Sequence, residues 1–292
     1  MSAGHRAGAR AARNTGARLV GEGVGKVATF IMFAALARVV GAEGLGAFVL
    51  AFAILGIAII PVALGSDVYL LRQVTRDRAA LDRLFFNILA LKIVLAVPVL
   101  AIAFLVANLA GYDATTLTTI YVLSAGVLLD LMAKTLHSTF NATERGELLA
   151  AMLIVQRMVT AAVAVAALVA GFGVVTVAAV YSGGATLSFA LGLLLMGRRI
   201  GLPRLHADPR GWRALVAETL PYGAQDVFGV LLFRLDAVML LVLATEAAVG
   251  RYGAAYRLLE STLFITWALN GAFSAMYVYL DESTEPTVQA VF

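Results

Sequence analysis

"LGAFVLAFAIL" occupies residues 45–55, and "VGRYGAAYRLL" answers it at residues 249–259. At an offset of 204 positions Gly46 falls on Gly250, Ala51 on Ala255 and Leu55 on Leu259. Phe48 and Phe52 fall on Tyr252 and Tyr256, and a glutamate stands just upstream of each copy, Glu43 and Glu246. A glycine–aromatic helix start repeated at this distance predicts two related units, each opening with the same pair of helices.

The surrounding composition fixes the medium in which those helices sit. Hydrophobic residues make up 61% of the 292, charged residues only 14%, and the mean hydropathy is +0.91. A soluble domain carries about 25% charged residues. Runs of about 20 apolar residues recur, each long enough to cross about 30 Å of hydrocarbon as a helix. The expected fold class is all-α, a polytopic membrane protein. The chain has no cysteine, which excludes disulfides, thiol catalysis and thiolate metal sites. Its three histidines, His5, His137 and His206, fall in the tail or in loops on this reading, without metal-ligand spacing. No cofactor or metal is expected.

Apolar runs and breaks predict eight helices, at 19–40, 46–66, 84–109, 116–136, 148–170, 174–196, 214–244 and 251–280. Their connections alternate in charge. One set carries fourteen arginines: Arg6, Arg10, Arg13 and Arg18 in the tail, Arg72, Arg76, Arg78 and Arg83 in "DVYLLRQVTRDRAALDR", Arg145, and five more between Arg198 and Arg213. The opposite set, "GAEGL", "AGYDATT", "GFG" and "TEAAVG", has no Lys or Arg, with Arg251 at its margin. The positive-inside rule then places both termini in the cytoplasm. On this side the net charge of +4 needs no nucleic-acid partner. The 204-residue offset spans six helices, an even number of crossings, so the two units are parallel repeats.

The residues also resemble a family. "ARVVGAEGLGAFVLAFAIL" with its Gly-Ser-Asp helix end, "TFNATERGELLAAMLIVQRMV", "ETLPYGAQDVFGVLLFRLDAVML" and "VGRYGAAYRLLE", in that order, are similar to polysaccharide and O-antigen flippases of the multidrug/oligosaccharidyl-lipid/polysaccharide exporter superfamily. The resemblance implies two helical bundles facing a central cavity through which lipid-linked saccharides pass by alternating access. It divides the chain into a basic cytoplasmic tail (1–18), a first six-helix bundle (19–196), a basic cytoplasmic linker (197–213), the first two helices of a second, incomplete bundle (214–280) and a polar tail (281–292). By that resemblance further helices are expected beyond Phe292.

Ionisable residues within the apolar segments are the candidate site, because charge in hydrocarbon is expensive and faces a cavity or a partner. Lys26 either faces the cavity or pairs with Glu22 one turn away. Asp130 and Lys134 stand at the same spacing and read as a self-pair, with Lys134 near enough to the helix end to snorkel. Lys92 and Arg38 read as interfacial anchors. Arg157, beside Gln156, has no local acid. The seventh helix carries Pro221, Gln225, Asp226, Arg234 and Asp236. Asp226 and Arg234 lie about 80° apart around it, while Asp236 lies about 200° from Arg234. Arg257 and Glu260 stand at i,i+3, and Arg257 replaces Ala53 of the first copy.

Lys26, Arg157, Arg234 and Arg257 together make a basic lining suited to a diphosphate, whose oxygens guanidinium binds bidentately. Asp226, Asp236 and Glu260 either hold arginine rotamers or bind a coupling cation, proton or sodium. The leading expectation is a non-enzymatic flippase for an anionic polyprenyl-diphosphate-linked saccharide, with membrane lipids as its surroundings. A cation-coupled multidrug exporter would want an acidic, aromatic site. A membrane glycosyltransferase would want a larger exterior loop. A non-transporting scaffold is the remaining alternative. "GEGVGKV" (21–27) lacks the strand and spacing of a nucleotide loop, and its glycines read as close helix contacts.

Overall fold

The structure, a computed structural model, describes the backbone of residues 3–205 and 207–243, and the side chains of 23–205, 207–225, 227 and 228. Every regular element among them is helical: α1 (Ala3–Ala58), α2 (Ile60–Ala63), α3 (Ser66–Arg76), α4 (Ala80–Leu109), α5 (Ala114–Ala142), α6 (Gly146–Val169), α7 (Val174–Arg199), a 3-10 turn (Pro209–Gly211) and α8 (Trp212–Leu243). The predicted seventh helix is α8. The predicted eighth, 251–280, lies outside the described residues. Residues 21–226 form one compact unit, and residues 1–20 with 227–292 form another.

Five helices among the described residues are long and apolar enough to cross a membrane: Gly23–Ala58 of α1, α4, α5, α6 and α7. Their outward faces carry Phe30 at 73% and Val97 at 66% exposure, which water would penalise and lipid does not. The protein is a multi-pass membrane protein. The first of the five is folded in two. Gly41 has φ 71° and ψ −170°, and the Phe33 and Phe48 rings stand 5.7 Å apart. In a straight helix 15 residues would separate them by about 22 Å. Ala28, Met32 and Leu36 of the first limb join Phe48, Ala51 and Leu55 of the second in one core, the expected i,i+4 and i,i+3 seam. The opening "LGAFVLAFAIL" is thus the inner face of a helical hairpin.

The sequence reading ends the second helix at residue 66 and leaves 67–83 as a loop. The structure corrects both. The helix stops at Ala58, Pro61 opens the short α2, and left-handed Leu64 and Gly65 (φ 47° and 64°) redirect the chain. An amphipathic helix, α3, follows. It buries Ser66, Tyr69, Leu70 and Val74 and leaves Arg72 and Arg76 exposed. The charges that made this segment look like a loop are its outer face.

Two large apolar layers and a smaller cluster of Val62, Ala96 and Leu131 fill the 21–226 unit. One takes Phe85, Ile88, Leu136, Phe140, Met152 and Met196, from the α4 start, α5 end, α6 start and α7 end. The other takes the α1 hairpin with Ile120, Leu123, Ala164 and Val177, from the opposite ends of the same helices. Polar residues of α4 to α7 lie between the layers. α5 is the most enclosed of the five, and Asp113 caps it, accepting from Thr115 N at 3.0 Å and Thr116 N at 3.3 Å. Bonds from Thr116, its hydroxyl first, hold the Asp113 carboxyl below the ordinary range.

Candidate functional site

Lys92 is 1% exposed, about 18 Å along α4. It is therefore no interfacial anchor, as sequence reading proposes. Its ammonium donates to Asp67 Oδ1 at 2.6 Å, Thr135 Oγ1 at 2.9 Å and the Leu131 carbonyl at 3.1 Å. Thr135 in turn donates to Asp67 at 3.0 Å. All three ammonium donors are used. Asp67 sits in the first turn of α3, where the helix dipole favours a carboxylate. The group joins α3, α4 and α5 across the start of the redirected chain.

A second polar group spans α5, α6 and α7. Asp130 accepts from Gln156 Nε2 at 3.1 Å and is not paired with Lys134, correcting the expected self-pair. α5 also runs on to Ala142, six residues beyond the predicted end. This places exposed Lys134 about 12 Å inside the helix rather than in its last turn. The same extension moves His137 from a predicted loop into α5, with its Nε2 buried and unpartnered among the described residues. Close helix approach holds the group together. A Cβ at Gly126 would meet Ser182 Oγ at 2.6 Å and Cα at 2.8 Å, and Ser182 donates to the Val122 carbonyl at 2.8 Å.

Arg157 stands about 16 Å into α6 and is half-buried. It makes no hydrogen bond or ion pair among the described residues. Its side chain lies across Gly25 of α1, where a Cβ would meet Arg157 Cδ at 2.3 Å. The next residue, Lys26, is exposed.

A third contact ties the start of α8 to α3. The Tyr69 hydroxyl donates to Glu218, and Arg72 lies 5.1 Å over the Tyr222 ring. A Cβ on Gly65 would meet Gly223 N at 2.2 Å, so two backbones touch there. Upstream, Asn87 Oδ1 accepts from Asp208 N at 2.7 Å and Trp212 Nε1 at 3.1 Å. Burial first, then the bond to Glu218, pushes the Tyr69 phenol up to about 12.

Of the sequence-predicted site, the structure brings Arg157 to the turn that carries Lys26. Asp226, Arg234 and Asp236 lie on the α8 backbone with side chains outside the described residues, and Arg257 and Glu260 lie outside them altogether. Sequence reasoning missed Asp67, Thr135 and Gln156 as partners. Asp67 carried a signal, a lone acid beside the Gly-Ser helix end, but its partner is 25 residues away on another helix.

Among known proteins, a family model described as polysaccharide biosynthesis protein matches residues 11–276. No curated protein and no solved structure matches the chain.

Proposed function

The chain belongs to the polysaccharide biosynthesis protein family, and on that premise we propose that it is a transporter rather than an enzyme. It flips an anionic polyprenyl-diphosphate-linked saccharide across the cytoplasmic membrane by alternating access. The head group passes through a cation-lined cavity while the lipid tail stays in the bilayer. Both termini face the cytoplasm, following the arginine asymmetry of the connections. The first bundle is residues 19–196, the linker 197–213, and the opening of a second bundle 214–280. Lys26, Arg157, Arg234 and Arg257 bind the diphosphate. Asp226, Asp236 and Glu260 hold those arginines or take up a coupling cation, proton or sodium.

One observation supports this reading above the others. Arg157 is a half-buried cation deep in an apolar bundle with no protein acceptor among the described residues. A charge so placed is retained where an anionic ligand or water-filled cavity meets it, and guanidinium suits the oxygens of a diphosphate. The test is translocation of a fluorescent polyprenyl-diphosphate saccharide in proteoliposomes. Arg157→Gln is expected to lower the rate at least tenfold and Arg157→Lys less. Equal rates in wild type and Arg157→Gln would sink the proposal.

A further inference from the structure

Gly25 belongs to "GEGVGKV", a motif the nucleotide-loop reading could not use. Its neighbours in that motif are not alike. A Cβ at Gly23 would meet nothing within 4 Å, whereas one at Gly25 would meet Arg157 Cδ at 2.3 Å, Nη1 at 2.7 Å and Nε at 3.1 Å. These are contacts with the outer half of one arginine, not with backbone. The absence of a side chain at residue 25 therefore leaves room for the Arg157 side chain and gives it a surface to lie on. Lys26 follows on the same turn of α1.

We propose that Gly25 is a positioning residue: it seats Arg157 against α1, so that the guanidinium is held in one plane to meet a diphosphate. This rests on the transporter reading given above. Guanidinium binds phosphate oxygens through two parallel N–H donors, and that bidentate fork requires a fixed guanidinium plane. Any side chain at residue 25 pushes the guanidinium off its seat. The displaced atoms are the mobile end of an arginine, so the fold absorbs the change and the site does not.

The experiment uses the full chain in detergent, with farnesyl diphosphate as the probe and inorganic diphosphate as competitor. Affinity is measured by titration calorimetry for wild type, Gly25→Ala, Arg157→Gln and the double variant, with thermal unfolding of each. Gly25→Ala is expected to weaken binding about tenfold at an unchanged unfolding temperature. Arg157→Gln is expected to weaken it at least as much, and the double variant no further than Arg157→Gln alone, since Gly25 acts through the arginine. Inorganic diphosphate should compete weakly, which marks the lipid-linked form as the ligand; competition as strong as the prenyl form's would overturn that assignment. Wild-type affinity in Gly25→Ala overturns the seat and leaves the transporter reading standing. So does an additive loss in the double variant, which is what a packing role for Gly25 predicts. Absence of any diphosphate binding by wild type overturns both.

Discussion

Lys92 and Arg157 enter the same helical unit from the same end, about 18 Å and 16 Å along their helices, and the protein treats them in opposite ways. The Lys92 ammonium has three donors and three acceptors, at 2.6, 2.9 and 3.1 Å. Arg157 has five donors and no acceptor among the described residues, only the bare Cα of Gly25 beneath it. A charge in hydrocarbon must be satisfied by something. Where protein groups do so completely, the cation is a joint in the fold. Where no described residue does so, the cation is read under the transporter proposal as open to an anion.

If that contrast is right, the largest stability effect comes from breaking the joint. Lys92→Met leaves Asp67 and Thr135 facing a methyl group, and removing one partner of a buried pair costs about 3–5 kcal/mol. Adding Asp67→Leu should recover most of the loss, because an apolar pair of similar size is close to neutral there. Reversible unfolding by SDS titration in mixed micelles reads both. A Lys92→Met protein as stable as wild type would mean that the ammonium is satisfied by solvent, and the two cations would then not differ in kind.

Two glycines sharpen the comparison with one chemical change. Gly65→Ala places a methyl 2.2 Å from the Gly223 nitrogen at a left-handed φ of 64°. The backbone alone costs about 1–2 kcal/mol, and two helices must separate as well. Gly25→Ala meets the flexible end of Arg157 and should leave the unfolding midpoint unmoved. The same SDS titration should separate the two alanines clearly; equal losses would mean that Arg157 is as fixed as a backbone.

How much of this was legible beforehand follows from where the information lies. Hydrocarbon-length apolar runs are local, so the membrane fold and the helices from residue 84 to 196 could be read directly, and a family model covering residues 11–276 agrees with the resemblance. The break at Gly41 was legible because a glycine stands in a charged, polar gap. α3 was not, since its arginines lie on one face of an amphipathic turn and only a tertiary partner separates that pattern from a loop. Lys92 misled for a related reason. A lysine near the start of an apolar run is more often an anchor, and its acceptors come from residues 67, 131 and 135, which no spacing rule connects to residue 92. Arg157 was legible as a candidate because the absence of a nearby acid can be seen in sequence. That Gly25 lies beneath it could not.

The contact between α3 and α8 offers a smaller, pH-dependent test of the idea that partnered groups are structural. Tyr69 is raised from 10.0 to about 12, by burial first and by Glu218 second. The fold thus favours the neutral phenol. Its contribution is fully present below pH 10 and is lost as pH rises through about 12. Tyr69→Phe removes one hydrogen bond, worth about 1 kcal/mol, at pH 8. The gap between variant and wild type should close between pH 10 and 12. A gap that persisted unchanged above pH 12 would show that ionisation of the phenol is not linked to folding, and the bond to Glu218 would not be what stabilises.

A small stability effect is also expected at the other member of the opening pair. Arg157→Gln removes a cation that gives up hydration and gains no acceptor from the described protein, so little native interaction is lost. A change within about 0.5 kcal/mol is expected, and its sign should favour the variant, because residues kept for a ligand are commonly held at some expense to the empty protein. The same variant is the one expected to lose transport at least tenfold. That separation of stability from activity is the reverse of Lys92→Met, which should lose activity only in proportion to the folded fraction. A loss of several kcal/mol in Arg157→Gln would instead show that this guanidinium is bonded as thoroughly as the ammonium of Lys92, and the case for an anion at Gly25 would go with it.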